Sequence, residues 1–101
     1  MRLTLTRSGG FLGSALPPVV VETTSLSREQ QDHVEGLVHA ADFFSLPRTL
    51  LASQPRPDRF QYDLDIRDEG GRAHRVIFGE ESALPSLLKL TQVVRDVGGG
   101  G

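Results

Sequence analysis

The sequence RFQYDLDIRDEGGRAHRVIF, residues Arg59–Phe78, carries the clearest local pattern in the chain. Apolar and polar residues alternate strictly from Arg59 to Arg67, and a period of two is typical of a half-buried strand. The residues Asp-Glu-Gly-Gly at 68–71 then favour a turn, and a second strand-like run follows from Ala73 to Phe78. The stretch therefore predicts a β-hairpin, around which the other elements are arranged.

The apolar side chains of this hairpin also predict which residues pair across it. Three pairs keep the apolar face continuous: Ile66 with His74, Leu64 with Val76, and Tyr62 with Phe78. This register requires a loop of odd length, and Glu69-Gly70-Gly71 fits a three-residue turn that ends in a left-handed glycine. A slip of one residue would place Arg75 beside Leu64 on the core side, so we expect one register to be strongly favoured.

Composition limits the classes of protein to which the chain can belong. A length of 101 residues suits one domain, which we predict to cover residues 1–97, followed by a flexible glycine tail at 98–101. The formal net charge is −2 and no basic run occurs, so neither nucleic acid nor an anionic membrane is an expected partner. Cysteine is absent, which excludes disulfides, thiolate zinc sites and cysteine nucleophiles. No apolar run approaches the ~20 residues of a membrane-spanning helix.

The N-terminal half predicts two strands and a helix. Alternation over Arg2–Arg7 predicts a first strand, and the β-branched run Val19–Thr23 predicts a second. A capping-box pattern at Ser27–Gln30 opens a helix that extends to about Phe44. The apolar stripe of this helix comprises Val34, Leu37, Val38 and Ala41. Phe43 falls nearly opposite the stripe, and we expect it to pack against the following loop.

The C-terminal half predicts an irregular stretch, the hairpin and a last helix. Ser45–Asp58 is the longest irregular stretch and contains three prolines. Pro85 suits the first turn of the last helix, and Gly98 suits its end. The apolar stripe of this helix comprises Leu87, Leu90, Val94 and Val97. The order ββαββα predicts an α+β domain, in which a four-stranded antiparallel sheet carries both helices on one face.

Chain direction places the connections of this predicted sheet. The second strand runs away from the connection Gly9–Pro18, and the first helix is expected to return toward it. Ser45–Asp58 should then lie at the same end as Gly9–Pro18. The fourth strand also ends there, at the connection Gly79–Ala83. We therefore expect three connections to share one end of the sheet.

Few residues are arranged for catalysis or metal binding. His33 and His39 are six residues apart on the first helix and face different directions, and neither HExxH nor Gly-x-Ser-x-Gly occurs. His74 is expected to be a structural histidine at the edge of the core. Asp63 and Asp65 share the outer face of the hairpin with arginines, so ion pairing across the strands explains them better than a metal site. We predict that the chain is not an enzyme and has neither a cofactor nor a metal of its own.

The common end of the predicted sheet is apolar where solvated turns would be expected. The apolar residues on two of its connections are Phe11, Leu12, Leu16, Leu50 and Leu51. These side chains either fold back over the sheet as part of the core or form a patch for a protein partner. Asp58, together with Glu80 and Glu81 on the third connection, can place a carboxylate beside that patch.

An ordered series of segments resembles the emfourin family. The segments are LTRSGGFLG, ADFFSLP, PDRFQYDLDI, the Gly-Gly-Arg turn, HRVIF and ALPSLLKL, and the resemblance runs from about Arg2 to Leu90. Proteins of this family are small bacterial inhibitors of thermolysin-like (protealysin-like) zinc metalloproteases. They are taken to be cytoplasmic and to block the enzyme by occupying its active-site cleft.

The resemblance implies how such an inhibitor would contact its target. A loop carboxylate would approach the zinc ion of the protease, while neighbouring apolar residues enter its substrate pockets. Asp58 is the expected ligand, and the alternatives are Glu22, Glu80 and Glu81. The other functional class left open is a regulatory module that binds a non-protease partner through the same end. We expect the free protein to be a cytoplasmic monomer.

Overall fold

The computed structural model describes residues 1–9, 18–50, 60–79 and 84–98. In chain order, the strands and helices of these residues are β1 (Arg2–Gly9), β2 (Val19–Glu22), α1 (Arg28–Ala40), β3 (Thr49–Leu50), β4 (Phe60–Arg67), β5 (Ala73–Gly79) and α2 (Pro85–Gly98). Short 3-10 helices at Thr23–Ser25 and Phe43–Ser45 flank α1. The α+β class predicted from the sequence is therefore confirmed, with two α-helices in the described parts of the chain.

The strands form one mixed sheet in the order β2-β1-β4-β5-β3. β1 is antiparallel to β2 and β4, and β4 is antiparallel to β5, whereas β3 is parallel to β5. The predicted four-stranded antiparallel sheet is therefore wrong, because the described residues form five strands. The additional strand, Thr49–Leu50, lies in the stretch that was expected to be irregular. Two residues are too few to show a period of two in the sequence, so this strand has no local signal.

The β4–β5 hairpin has the register that its apolar face predicts. The pairs are Ile66 with His74, Leu64 with Val76, and Tyr62 with Phe78. The Asp68 N–H donates to the Arg72 carbonyl oxygen at 2.9 Å, which leaves Glu69-Gly70-Gly71 as the loop. Gly71 has a φ of 91°, so glycine occupies the left-handed position predicted at the end of this turn.

One face of the sheet forms the core together with both helices. The buried apolar residues of the sheet are Leu3, Leu5, Val21, Tyr62, Leu64, Ile66, Val76 and Phe78. Those of the helices are Val34 and Val38 on α1 and Leu87, Leu90 and Val94 on α2. Leu37 and Val97 are partly buried against this cluster, and Ala41 is buried within it. The apolar stripes predicted for the two helices are therefore confirmed.

α1 ends earlier than the sequence predicts, and this changes the place of Phe43. Ser27 caps the helix as predicted. The helix ends at Ala40 rather than near Phe44, because Asp42 adopts the left-handed conformation, with φ 50° and ψ 48°. A left-handed residue turns the chain out of the helical path. Phe43 follows this turn and is 1% exposed, so it belongs to the core rather than to the far side of a longer helix.

α1 begins and ends near the hairpin-turn end of the sheet. Before α1, the Thr23 N–H donates to the Met1 carbonyl oxygen at 2.9 Å. After α1, the Phe43 ring meets the His74 ring edge to face, with centroids 5.6 Å apart. Met1 and His74 both lie at this end, since the residue after Met1 pairs with Arg67, the last residue of β4. The expectation that α1 returns the chain to the opposite end is therefore wrong. β3, which runs parallel to β5, carries the chain there instead.

Candidate functional site

Four strands reach the same end of the sheet, opposite the hairpin turn. Gly9 at the end of β1 pairs with Phe60 at the start of β4. Gly79 at the end of β5 pairs with the next residue of β4, and Leu50 at the end of β3 pairs with Phe78. Neighbouring strands lie about 4.8 Å apart, so the four strand ends span about 15 Å. We call these four terminal residues, Gly9, Leu50, Phe60 and Gly79, the loop end of the sheet.

A buried aromatic pair lies directly beneath the loop end. Tyr62 and Phe78 face each other across β4 and β5, with ring centroids 5.4 Å apart and an angle of 31° between the ring planes. Both side chains are buried in the core cluster. Such a pair adds to the energy of area burial and fixes two neighbouring strands relative to each other. The strand ends therefore rest on a rigid part of the core.

Leu50 is the predicted apolar contact residue that the structure places at the loop end. Its side chain is half-buried and packs against the core cluster. The sequence left two roles open for the apolar residues, packing in the core or contact with a protein partner. Part of the Leu50 side chain therefore packs in the core. The remaining predicted contact residues lie outside the described residues, and they are Phe11, Leu12, Leu16, Leu51, Asp58, Glu80 and Glu81.

Glu22, one of the alternative carboxylates, lies at the hairpin-turn end. It pairs with Arg2, which is the first residue of β1, whereas Gly9 is the last. Seven residues of extended chain separate these two positions, which corresponds to about 23 Å. The exposed Glu22 side chain forms an ion pair with Arg2, with Oε1 3.4 Å from Nε. The structure therefore does not bring Glu22 together with Leu50.

The two aspartates on the outer face of β4 are not arranged as a metal site. Arg75 lies opposite Asp65, as expected from the register, but its guanidinium binds Asp63 diagonally. Nε donates to Asp63 Oδ1 at 2.7 Å, and a second nitrogen contacts Oδ2. The hydrogen bond from Arg75 to Asp63 raises the pKa of Arg75. The described residues contain no group of three or more His, Cys, Asp or Glu that could hold a metal ion.

His74 has the structural role that the sequence predicts. Its Nε2 lies 2.6 Å from the Leu46 carbonyl oxygen, to which it donates. The other two histidines, His33 and His39, are exposed on α1. Among the described residues, no histidine belongs to a group of three or more potential metal ligands.

The outer face of the sheet contains a groove that the sequence patterns did not indicate. The groove has a volume of about 540 Å³, and the side chains that line it include Arg48, Thr49, Asp65, Arg67, Arg75 and Ile77. A smaller depression of about 270 Å³ adjoins it, lined by Arg2, Thr4, Asp65 and Arg67. The alternation of apolar and polar residues identifies the lining residues of β4 and β5 as outward-facing. The sequence alone does not show that Arg48 lies beside them, because this depends on the position of β3.

Comparison with known proteins gives one family match. The family model of Emfourin matches residues 5–95, which is most of the chain. No curated protein matches the chain, and neither does any solved structure. No helix of the described residues is long and apolar enough to cross a membrane. From the match over residues 5–95, we conclude that the chain belongs to the Emfourin family.

Proposed function

We propose that this protein inhibits thermolysin-like (protealysin-like) zinc metalloproteases by inserting the segments at its loop end into the active-site cleft. In this proposal, apolar side chains enter the substrate pockets of the protease and a loop carboxylate binds its zinc ion. The zinc belongs to the target, and the inhibitor contributes no cofactor. The protein would act as a monomer in the bacterial cytoplasm.

The family match over residues 5–95 carries the proposal. Membership of the Emfourin family implies a protease-inhibitor role in general terms, and members of such a family act by binding rather than by catalysis. The class of protease and the contact residues are the parts that we propose.

Chain connectivity favours the loop end as the contact surface. Leu51 and Glu80 directly follow Leu50 and Gly79, the last residues of β3 and β5. Asp58 lies two residues before Phe60, so the length of the chain keeps the two Cα atoms within about 7 Å. Leu51, Glu80 and Asp58 are therefore within two residues of adjacent strand ends. Short tethers to a rigid base reduce the conformational entropy that is lost on binding.

The candidate carboxylates differ in their distance along the chain from the loop end. Asp58 remains the proposed ligand, with Glu80 and Glu81 as alternatives, because each follows or precedes a strand terminus at the loop end by one or two residues. Glu22 is about 23 Å from that end along β1 and is paired with Arg2. A carboxylate is a suitable ligand for zinc, and it competes directly with the catalytic water for the metal. The apolar groups proposed to accompany it are Phe11, Leu12, Leu16, Leu50 and Leu51.

The experiment is to titrate a thermolysin-like protease with the purified protein and with an Asp58→Asn variant. Asparagine keeps the size of the side chain and removes its charge. We expect the wild-type protein to inhibit at micromolar concentration or below. Loss of a central interface contact of about 2 kcal/mol would weaken inhibition by the variant roughly thirtyfold. Glu22→Gln is the matched control and should inhibit as the wild type does.

The two parts of the proposal fail in different ways. If the wild-type protein does not inhibit at micromolar concentration, the proposed function is wrong. If Asp58→Asn inhibits as strongly as the wild type, Asp58 is not the zinc ligand. The Glu80→Gln and Glu81→Gln variants then identify whether one of the alternative carboxylates takes that role.

The second candidate function is regulation of a non-protease partner through the same loop end. The half-buried Leu50 and the apolar residues near it suit any protein interface, not only a protease cleft. Capture of the partner in the presence and absence of a zinc chelator separates the two functions. Capture that weakens when the zinc is removed supports protease inhibition, and capture that is unaffected supports the non-protease partner.

A further inference from the structure

The groove on the outer face of the sheet concentrates positive charge in a protein whose net charge is negative. Its lining includes three arginines, Arg48, Arg67 and Arg75, against one acid, Asp65. The formal net charge of the whole chain is −2. The distribution of charge around this groove is therefore opposite to that of the protein as a whole.

Two of these arginines are not neutralised. Arg75 is bound to Asp63, so its charge is compensated. Among the described residues, neither Arg48 nor Arg67 forms an ion pair. Both side chains are exposed. They reach the groove from different parts of the sheet, since Arg48 immediately precedes β3 and Arg67 ends β4.

The backbone holds Arg48 at a fixed position beside the groove. The Ile77 N–H donates to the Arg48 carbonyl oxygen at 2.8 Å, so the residue that precedes β3 is anchored to β5. Thr49 and the half-buried Ile77 lie side by side on the same surface. The groove thus combines two cations that have no ion pair among the described residues, an exposed hydroxyl and an apolar side chain, which is the mixture that an acidic polypeptide segment would contact.

The shape of the surface favours a polypeptide over a small anion. The groove and the adjoining depression share Asp65 and Arg67, and together they extend from β3 to β1. Four neighbouring strands span about 15 Å, which is the length of four to five residues of extended chain. A single exposed ion pair contributes little to affinity, so a small ion at either arginine would bind weakly. An extended polypeptide can form several such contacts at once, and together they give a higher affinity.

We propose that this groove binds an extended acidic segment of a partner protein, with carboxylates on Arg48 and Arg67 and an apolar side chain on Ile77. The groove lies on the outer face of the sheet and extends from Ile77, two residues before the last residue of β5, to Arg67 beside the hairpin turn, so most of it lies away from the strand termini. It therefore goes beyond protease inhibition and does not depend on it.

Fluorescence anisotropy tests the proposal with a short labelled peptide that alternates glutamate with valine. The control peptide has glutamine in place of glutamate. We expect the full-length protein to bind the glutamate peptide and not the glutamine peptide, with an affinity that falls as salt is added. The double variant Arg48→Glu/Arg67→Glu should bind roughly tenfold more weakly, because two attractive contacts become repulsive.

A matched pair of charge reversals on the helices provides the control. Arg28→Glu/Lys89→Glu makes the same change in net charge at exposed positions of α1 and α2, on the other side of the sheet. Its affinity for the glutamate peptide should stay within about twofold of the wild type, since only long-range charge is altered. Circular dichroism of both double variants verifies that each one is folded.

Several outcomes would overturn the proposal. Equal loss of binding in the two double variants would indicate general electrostatic attraction rather than a groove. Equal binding of the glutamine peptide would remove the role of the carboxylates, and displacement of the glutamate peptide by inorganic phosphate at similar concentration would indicate a small-anion site. The protease titration is a separate readout and does not bear on binding in the groove.

Discussion

Replacement of Phe43 by alanine tests the packing that follows the end of α1. Phe43 is 1% exposed and lies in the 3-10 turn after the left-handed Asp42. Its ring contacts the ring of His74 with centroids 5.6 Å apart and that of Phe44 with centroids 5.8 Å apart, both in edge-to-face geometry. Phe43→Ala therefore removes a whole buried ring from the junction between α1 and the sheet.

The structure indicates how large the effect should be. Truncation of a fully buried Phe to Ala costs about 3–5 kcal/mol of unfolding free energy, because transfer energy is lost and a cavity remains. A chain of this length has a total unfolding free energy of about 5–15 kcal/mol. Phe44 is the matched control, since its ring is half-buried and lies under the Arg72 guanidinium at 4.4 Å. Loss of this cation–π contact and of partial burial should cost about 1–2 kcal/mol.

Two measurements follow the consequences of the Phe43 substitution. Urea denaturation gives the unfolding free energy of the wild type, Phe43→Ala and Phe44→Ala, and an unchanged m value would indicate that the same surface is exposed on unfolding. Hydrogen exchange at the Ile77 amide reports on β3 locally, because this N–H donates to Arg48. We expect faster exchange at Ile77 in Phe43→Ala than the global loss of stability explains, since the 3-10 turn leads directly into β3.

Two results would contradict this role of Phe43. If Phe43→Ala is destabilised no more than Phe44→Ala, Phe43 is not the buried member of the pair, and the end of α1 lies closer to the position predicted from the sequence. If the Ile77 amide exchanges in Phe43→Ala only as fast as global unfolding requires, the 3-10 turn does not hold β3 in place.

Two further predictions concern the hairpin turn. Gly71→Ala should destabilise the protein by about 1 kcal/mol relative to Gly70→Ala in urea denaturation, because only Gly71 has a positive φ, of 91°; equal losses would show that the turn relaxes freely. Hydrogen bonds from Arg72 lower the pKa of the Asp68 carboxyl from its ordinary value of 3.8. The stabilisation by Asp68 is therefore complete above about pH 5 and is lost as the pH falls through the lowered folded-state pKa. The urea midpoint of the wild type should decrease as the pH is lowered from about 5, and this decrease should be smaller in Asp68→Asn. If the decrease is the same in Asp68→Asn, other carboxyl groups cause it.

The hairpin was predictable because each of its features has a local cause. A strict alternation of apolar and polar residues fixes which face of each strand is buried. The requirement for a continuous apolar face then fixes the register, and the register fixes the odd length of the loop. Gly71 satisfies the left-handed position that this loop needs. Local pattern, pairing and turn chemistry all lead to the same structure, and no contact with a distant element is needed to choose it.

β3 and the end of α1 were not predictable in the same way, because both depend on distant contacts. The residue Asp42 adopts a left-handed conformation that the sequence does not distinguish from a further helical residue. β3 consists of two residues, and β5 selects them through the hydrogen bond from Ile77 to Arg48. The side chain of His74 also holds the preceding segment, by donating to Leu46. These are tertiary contacts, and tertiary context routinely overrides local propensity.

Of the two candidate surfaces, the loop end was predictable from the sequence and the groove was not. The loop end was expected from the direction of the strands, and the strand termini do converge there, although α1 does not return the chain to that end. The groove was not predicted because the sequence does not distinguish charged residues that form ion pairs from those that do not. Register and pairing are needed to see that Arg75 is neutralised by Asp63 while Arg48 and Arg67 have no acidic partner among the described residues.

β3 connects the core to the proposed protease contact. The chain leaves α1 near the hairpin turn and must cover nearly the length of the sheet before it reaches the loop end. Along this path it is fixed by Phe43 in the core, by the bond between His74 and Leu46, and by the bond between Ile77 and Arg48. Leu50 therefore arrives at the loop end from an anchored strand rather than from a long free loop. An inhibitor benefits from such an arrangement, since less conformational entropy is lost when the protease is bound. The short strand that the sequence does not reveal is thus the element through which packing around α1 would influence the proposed inhibition.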